Sequence, residues 1–348
     1  MRLIRLAVVD DSAFVRKAIE KMLGGDARIE VVGTATSGEE LLANLERWAP
    51  DVITLDLSMA GIGGLVTLDR VMALRPTPVI ILSTHAGRGA PQTIEALHRG
   101  AADFIDKQEY SLLDFSALRE VLVEKVLAVA GSLQAAERSA GAPAPPAGEP
   151  SGGYDVLLIG ASTGGPPAIE QVLVDLGPDC PVPVMVVQHM PQGFTRAFAD
   201  RLNAHLPLEV REAEEGMLLE PGRVYIAPGG RHLRINREGD RAACSLSLKP
   251  DGVAHRPAVD ELFVSAVPGA QRAVAALLTG MGRDGAEGMR QLAAGGAYTV
   301  AQDEATSIVY GMPGAAVTLQ AAREVLPLPR IGPRLRELLA ESRPTAAG

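Results

Sequence analysis

The chain has 348 residues, more than one hydrophobic core usually contains, so its length predicts two domains of ordinary size. Hydrophobic residues make up 47% and charged residues 22%, and no apolar run approaches the roughly 18 residues of a membrane-spanning helix, which excludes a membrane-inserted protein. The formal net charge is −9 and aromatic residues make up only 3%, so the chain lacks both the positive field and the stacking surfaces that nucleic-acid binding uses.

In the first half of the chain, apolar segments of strand length alternate with segments that have the length of helices. Each apolar segment is followed by turn residues and then by enough chain for one helix. This alternation predicts a parallel sheet with crossover helices, an α/β fold. The predicted strands of this half are residues 6–9, 31–34, 52–55, 79–82 and 104–105.

Acidic residues follow the first and third predicted strands, at the sheet edge where parallel α/β domains bind ligands. Asp10 and Asp11 end the first strand, and Asp56 ends the third. Three converging carboxylates repel one another without a cation, and their oxygens suit Mg²⁺. Asp56 is then a candidate phosphoryl acceptor, with Ser83 and Lys107 at the next two strand ends contacting the phosphoryl oxygens. The alternative for Asp10 and Asp11 alone is that they cap helices or lie in solvated turns.

Taken together, these strand-end positions over residues 1–125 resemble the receiver domain of two-component response regulators. The resemblance implies a flavodoxin-like, five-stranded fold and a phospho-acceptor aspartate at Asp56. The sequence departs from the family pattern where Ala60 and Gly63 occupy the places of a proline and an aspartate-glycine pair. It departs again where Gln108 replaces the cis-proline that usually follows the strand-end lysine. The loss of that proline removes a fixed backbone geometry, so the rate and lifetime of phosphorylation stay open.

A stretch rich in alanine, proline and glycine separates the two halves of the chain. We place a flexible linker at residues 126–153, because the composition of 131–153 cannot form a core. In residues 154–348 strand-length and helix-length segments alternate again. The sequence therefore predicts two doubly wound, parallel-sheet α/β domains joined by a flexible linker. The predicted strands of the second domain are residues 156–159, 184–187, 224–226 and 274–279.

The first strand of the second domain leads into a glycine-rich turn, Gly-Ala-Ser-Thr-Gly-Gly at 160–165, before a helical segment. Small flanking residues allow a sharp turn that exposes the oxygen of Ser162, as in a nucleophile elbow. A glycine turn before a helix can equally hold a phosphate, or simply make a tight turn. A nucleotide site would also need an acid for the ribose or a Walker lysine. Asp179 lies in a Pro-Asp-Cys-Pro turn and no lysine follows the glycines, so a nucleotide site is less favoured.

A serine nucleophile requires a base and a residue that orients the base, and two further strand ends supply both. His189 directly follows the second strand of this domain, and Asp284 lies in the glycine-dense turn after the fourth. Ser162, His189 and Asp284 therefore form a candidate triad at one sheet edge. Their chain order differs from the serine, acid, histidine order of α/β-hydrolases, which disfavours an ordinary lipase or esterase.

Six motifs of the second domain contain the candidate triad or accompany it along the chain. They are the serine turn at 160–165, Gln-His-Met-Pro at 188–191, Ala-Pro-Gly-Gly-Arg-His-Leu at 227–233, His-Arg-Pro-Ala-Val-Asp at 255–260, Thr-Gly-Met-Gly-Arg-Asp-Gly at 279–285, and the segment 303–313. These motifs resemble the catalytic domain of the chemotaxis protein-glutamate methylesterases, the CheB family. With the receiver in front, the resemblance covers nearly the whole chain.

The resemblance implies hydrolysis of glutamate methyl esters on the cytoplasmic signalling helices of chemoreceptors, often with deamidation of receptor glutamines, in chemosensory adaptation. By matching motif, Ser162 is the nucleophile, His189 the general base and Asp284 the residue that orients it. Thr163 lies beside the nucleophile, and the backbone N–H of Met281 is a candidate oxyanion donor.

The two resemblances also imply a substrate, a phosphodonor and a metal ion for this protein. Methyl-accepting chemoreceptors are the expected substrate and a chemotaxis histidine kinase the expected phosphodonor. We expect Mg²⁺ at Asp10, Asp11 and Asp56 for phosphorylation, and no cofactor in the catalytic domain. Cys180 and Cys244 lack metal-ligand spacing and are too few for a disulfide framework. Because the first ten residues also lack the features of a signal peptide, we expect a cytoplasmic protein.

Two alternatives to a methylesterase remain at this point. One is a phosphorylation-controlled binding module whose second half no longer catalyses, which the complete serine, histidine and aspartate set disfavours. The other is a nucleotide-binding α/β protein, for which the sequence supplies no ribose or phosphate partner. We expect the remaining motif residues His232, His255, Asp303 and Glu304 to be structural, in loops and caps.

Overall fold

The computed structural model describes residues 3–83, 89–107, 115–136, 153–239, 241–250, 252 and 254–340. The chain divides into two compact units, Met1–Gln134 and Ala135–Gly348. Each unit has an α/β fold, which confirms the predicted fold class. Among the described residues, no helix combines the length and the apolar character that crossing a membrane requires.

The first unit is a five-stranded, all-parallel sheet with strand order β2-β1-β3-β4-β5. Strands β3, β4 and β5 are buried along their whole length, and β3 and β4 appear in the sequence as largely apolar runs for this reason. The order reverses between β1 and β3, so the ends of these two strands flank the crevice where such sheets bind ligands. The elements are β1 (Ile4–Val9), α1 (Ala13–Leu23), β2 (Ile29–Ala35), α2 (Gly38–Trp48), β3 (Val52–Asp56), α3 (Gly63–Leu74), β4 (Val79–Ser83), α4 (Gly89–His98), β5 (Asp103–Asp106) and α5 (Phe115–Ala136).

The last helix of this unit extends further than the sequence predicted. We placed the linker at 126–153, but α5 continues to Ala136. The helix continues because Val126, Val129 and Ala130 are buried at helical spacing and hold this segment on the unit. The linker prediction therefore has to be corrected at its start. Residues 137–152, which form most of the predicted linker, lie outside the described residues.

The second unit contains a seven-stranded parallel sheet with strand order β14-β13-β12-β6-β7-β9-β8. The four predicted strands correspond to β6, β7, β9 and β12. The strand order reverses between β6 and β12, which places the switch-point crevice at the ends of these two strands. The sheet strands are β6 (Val156–Ala161), β7 (Val184–Gln188), β8 (Glu209–Glu212), β9 (Arg223–Ile226), β12 (Ala273–Leu277), β13 (Tyr298–Gln302) and β14 (Glu324–Leu326).

The second unit also contains six α-helices, one 3₁₀ helix and a separate two-stranded hairpin among its described residues. The helices are α6 (Gly165–Leu176), α7 (Phe194–His205), α8 (Val259–Ser265), α9 (Ala286–Ala294), α10 (Met312–Thr318) and α11 (Leu328–Ala340), with a 3₁₀ helix at Val267–Arg272. The hairpin consists of antiparallel strands β10 (His232–Glu238) and β11 (Arg241–Ser247), which the sequence did not predict. Polar residues interrupt the apolar residues of both strands, so the hairpin lacks the continuous apolar runs from which the sheet strands were predicted. Its buried residues pack with α8 in one hydrophobic core.

Candidate active site and phosphoryl-acceptor site

The three acidic residues predicted to hold a cation lie together at the end of the receiver sheet. Asp10 and Asp56 are buried and Asp11 is exposed, and one carboxylate oxygen from each lies within 4.8 Å of the other two. The backbone N–H of Ser12 donates to Asp10 Oδ1 at 2.9 Å, and Ser12 itself caps α1. The capping role considered for the acidic residues therefore belongs to Ser12, which leaves carboxylate oxygens available to a hard cation.

A lysine ammonium partly neutralises this acidic cluster. Lys107 Nζ lies 2.7 Å from Asp10 Oδ2 and 3.2 Å from Asp56 Oδ2. Burial raises the pKa of Asp10 and outweighs the opposing effect of Lys107. The backbone N–H of Lys107 donates to the carbonyl of Ser83 at 2.7 Å. The hydroxyl of Thr93 donates to the hydroxyl oxygen of Ser83 at 2.5 Å. The structure therefore brings all five predicted receiver residues to one edge.

The departures from the receiver pattern have local structural consequences. Ala60 is exposed between β3 and α3, and Gly63 begins α3 with a φ of +73°, a conformation that favours glycine. Gln108, which replaces the family proline, lies outside the described residues.

The serine turn follows β6 as the sequence predicted. The backbone N–H of Ser162 donates to Thr279 O at 3.0 Å, and the N–H of Gly165 donates to Ser162 O at 2.7 Å. Gly164 has a φ of +76°, and a Cβ there would lie 2.6 Å from Ile308 Cβ, so the turn requires glycine at this position. Ser162 is half-buried.

The two partner residues of the candidate triad are in direct contact. His189 Nε2 lies 2.7 Å from Asp284 Oδ2, and their side chains are only 7% and 15% exposed. Burial alone would raise the pKa of Asp284. However, the hydrogen bond and charge of His189, with the backbone N–H groups of Asp260 and Val259, lower it to about 2. Asp284 is therefore ionised at neutral pH, and its carboxylate accepts a hydrogen bond from the imidazole of His189.

Strand register brings the serine and the histidine to the same edge. Ala161 pairs with Gln188 across β6 and β7, so Ser162 and His189 are the next residues of two neighbouring strands. His189 Nδ1 is buried and has no hydrogen-bond partner among the described residues. The Ser162 hydroxyl likewise makes no hydrogen bond to any described residue.

The turn after β12 lies directly against the serine. A Cβ at Gly280 would lie 2.9 Å from Ser162 Cβ and 2.2 Å from Met312 Sδ, so only glycine allows this approach. The neighbouring backbone N–H of Gly280 donates to Val309 O at 3.0 Å. The backbone N–H of Met281, in contrast, makes no hydrogen bond within the described chain. Thr163, next to the serine, is buried, and its carbonyl accepts Thr279 Oγ1 at 2.9 Å.

Several residues of this site were not singled out by the sequence. The ring of His255 stacks on His189, although we expected His255 to have a purely structural role in a loop. Asp260 lies beside Asp284, and Gln188 Nε2 donates to Ser162 O at 2.9 Å. The available signal was the motif at 255–260, which contains both His255 and Asp260, but their contacts arise only in the fold.

The remaining motif residues make structural contacts, but the prediction that His232 lies in a loop is wrong, because His232 is the first residue of β10. His232 Nδ1 accepts the backbone N–H of Ala258 at 3.2 Å, and burial lowers the pKa of this histidine. Asp303 Oδ1 accepts both the backbone N–H and the hydroxyl of Thr306, at 3.0 and 2.6 Å. Met312 and Pro313 form the start of α10.

Comparison with known protein families agrees with the two units. Residues 6–114 match the response regulator receiver domain, and residues 157–335 match the CheB methylesterase domain. These matches define the class, a response regulator whose output domain is a methylesterase. The chain belongs to the CheB methylesterase family. The family, the two parallel-sheet domains and their order, all predicted from the sequence, are confirmed.

Individual relatives cover nearly the whole chain. A protein-glutamate methylesterase/protein-glutamine glutaminase of Halalkalibacterium halodurans is 43% identical over 345 residues, covering 97% of this chain and 97% of its own length. One of Xanthomonas euvesicatoria is 44% identical and covers 98% of both chains. The crystal structure of the Thermotoga maritima CheB methylesterase catalytic domain is 38% identical and superimposes with a TM-score of 0.52. That match covers 53% of this chain and 98% of the Thermotoga chain.

Proposed function

We propose that this protein hydrolyses glutamate methyl esters on chemoreceptors, also deamidates receptor glutamines, and is regulated by phosphorylation of its receiver. The observation that carries the proposal is the buried hydrogen bond between His189 and Asp284, at the strand end next to Ser162. A histidine held by an ionised carboxylate beside a serine turn is the arrangement that acyl transfer requires. The names of the curated relatives support both activities.

In the proposed reaction, Ser162 attacks the ester carbonyl while His189 takes the hydroxyl proton. His189 Nε2 is already bound to Asp284, so Nδ1 is the nitrogen that accepts this proton. The free backbone N–H of Met281 stabilises the oxyanion, and Thr163 supports the turn beside the nucleophile. His189 then protonates the leaving methoxide to methanol, and a water molecule hydrolyses the acyl-enzyme to free glutamate. With a glutamine substrate, the leaving group is ammonia.

The packing of the serine turn argues against a nucleotide site at the same glycines. A Cβ at Gly165 would lie 1.9 Å from Gln188 Oε1, so a side chain of the protein already occupies the space next to this turn. Gln188 also donates to Ser162 O. A phosphate held at the start of α6 would have to displace this side chain.

In the receiver, we propose Asp56 as the phosphoryl acceptor and a chemotaxis histidine kinase as the phosphodonor. Carboxylate oxygens of Asp10, Asp11 and Asp56 fit a hard divalent cation, and bound Mg²⁺ would supply charge neutralisation for the incoming phosphoryl group. Lys107 and Ser83 would contact the phosphoryl oxygens. We propose no cofactor for the catalytic domain.

The test is methanol release from receptors labelled at their glutamate methyl esters, using the full chain. We expect release by the wild type and an increase when a small-molecule phosphodonor and Mg²⁺ are added. Absence of methanol release in both conditions would contradict the proposed esterase. Release that phosphodonor leaves unchanged would contradict the proposed regulation alone.

A further inference from the structure

The acid of the candidate triad is held by a reciprocal pair of contacts between two helix starts. Asp284, just before α9, accepts the backbone N–H groups of Val259 and Asp260 at the start of α8, at 2.6 and 2.9 Å. In return, Asp260 Oδ1 accepts the backbone N–H of Gly288, in the first turn of α9, at 2.6 Å. Asp284 therefore caps the start of α8, and Asp260 caps the start of α9. We call these three hydrogen bonds the Asp260–Asp284 clasp.

Two glycines allow the helix starts to approach closely enough for the clasp. A Cβ at Gly288 would lie 2.8 Å from Phe263 Cβ and 3.0 Å from Asp260 Oδ1. Gly285 has a φ of +85°, and a Cβ there would lie 2.6 Å from Val259 Cγ1. The clasp is therefore built into the packing of α8 against α9, with little room for either carboxylate to move.

The clasp acts on the same oxygen that the histidine uses. Asp284 Oδ2 accepts from Val259 N and also lies 2.7 Å from His189 Nε2. We infer that Asp260 is a positioning residue for the proposed reaction, because its bond to Gly288 fixes the start of α9 and so keeps Asp284 Oδ2 aligned with His189. This inference rests on the proposed function, since it concerns how the proposed base is oriented.

The charges within the clasp indicate what Asp260 contributes. Asp284 keeps its charge because it accepts from His189 and from two backbone N–H groups. Burial, together with the neighbouring charge of Asp284, raises the pKa of Asp260 to about 6, against the effect of its bonds to the start of α9. Burial and the charge of Asp284 both disfavour a negative charge on Asp260. Asp260 therefore contributes to the clasp as a hydrogen-bond acceptor for the backbone N–H of Gly288. An amide oxygen at the same place preserves that contribution.

The test compares two substitutions of Asp260 in the full chain, with Glu287→Gln as the matched control. Glu287 is another acid in the first turn of α9, but its side chain is 45% exposed and pairs with Arg290. For Asp260→Ala we expect kcat to fall about 10-fold with KM nearly unchanged, because the base is misoriented while the substrate-binding surface is kept. For Asp260→Asn and Glu287→Gln we expect kcat within about twofold of the wild type.

A readout independent of activity is the proton NMR signal of His189 Nε2–H, which we expect to be shifted downfield by its bond to Asp284. We expect this signal in the wild type, in Asp260→Asn and in Glu287→Gln, and its loss or upfield movement in Asp260→Ala. An unchanged kcat and signal in Asp260→Ala would overturn the inference. Loss of the signal in Asp260→Asn would also overturn the inference. This second comparison tests the inference even if Asp260→Ala does not fold. If the wild type releases no methanol, the proposed function fails, while the NMR comparison still tests the clasp.

Discussion

The imidazole rings of His189 and His255 are stacked, with centroids 4.1 Å apart and an angle of 23° between the ring planes. His255 is itself exposed, whereas only 7% of the His189 side chain is accessible. The outer ring thus covers one face of the proposed base. We expect the His255 ring to shield the His189–Asp284 hydrogen bond from water and so to strengthen that bond electrostatically.

We expect His255 to affect kcat/KM by covering the ring of His189, and not by taking part in proton transfer. His255→Phe keeps a flat ring over His189, and its kcat/KM should stay within about threefold of the wild type. His255→Ala opens that face to water and should lower kcat/KM about 10-fold. Steady-state methanol release from methyl-labelled receptor measures both. Equal losses in the two variants would show that His255 itself takes part in the chemistry.

Replacing the proposed nucleophile should abolish turnover without unfolding the protein. Ser162 is half-buried and its hydroxyl has no hydrogen-bond partner within the described chain, so Ser162→Ala removes little stability. We expect methanol release to fall at least about 10⁴-fold. Far-ultraviolet circular dichroism and the melting temperature are the controls. A Ser162→Ala protein that retains a tenth of the wild-type rate would exclude Ser162 as nucleophile.

The proposed orienting acid should matter less than the nucleophile. Asp284→Asn removes the charge beside His189 but leaves Ser162, the proposed base and the proposed oxyanion donor in place. We expect activity below the wild type yet about 10 to 100 times above that of Ser162→Ala. The same methanol assay, run on both variants in parallel, ranks them. If the two prove equally inactive, Asp284 does more than orient the base.

Phosphorylation of the receiver should depend on Asp56 and on Mg²⁺. In Asp56→Asn the amide cannot accept a phosphoryl group, and without Mg²⁺ the acidic cluster repels the donor. We expect labelling from a small-molecule phosphodonor in the wild type with Mg²⁺, and none in Asp56→Asn or with chelator. Glu30→Gln, an exposed acid that follows the first residue of β2, is a matched control and should be labelled normally. Label that persists in Asp56→Asn would place the phosphorylation site elsewhere.

The raised pKa of Asp260 predicts a pH-dependent stability. The folded-state pKa is about 6 against an ordinary value of 3.8, so between these values the folded state holds a proton that the unfolded state has released. Stability from this group is therefore present below about pH 4 and is lost as the pH rises through 6. Asp260→Asn lacks this loss. The free energy of unfolding of Asp260→Asn minus that of the wild type should therefore be about 1 to 2 kcal/mol larger at pH 8 than at pH 4.5, after allowance for partial exposure of the carboxyl.

Urea unfolding of both proteins at the two pH values measures this difference. The other titratable and charged groups of the region are shared by the wild type and the variant, so their contributions largely cancel. The neighbouring charge that acts on Asp260 is that of Asp284, which both proteins retain. A stability difference between the two proteins that does not change with pH would show that Asp260 titrates normally.

Much of the architecture follows from the sequence alone. Continuous apolar runs such as those of β3 and β6 predict buried parallel strands, because both faces of such a sheet are covered by helices. The residue after each run then lies at the carboxyl edge of the sheet, which is how Asp56 and Ser162 could be singled out. Continuous apolar runs did not predict the β10–β11 hairpin, because polar residues interrupt the apolar residues of both its strands.

The tertiary structure decided the contacts that convert those strand ends into a site. The sequence by itself determined that Ser162, His189 and Asp284 follow strands, because local apolar patterns specify where strands end. It did not determine the stacking of His255 on His189 or the clasp between Asp260 and Asp284, since both join segments from different parts of the chain. Those contacts depend on how closely α8 and α9 approach, and that distance is decided by the packing of Val259 and Phe263 against Gly285 and Gly288.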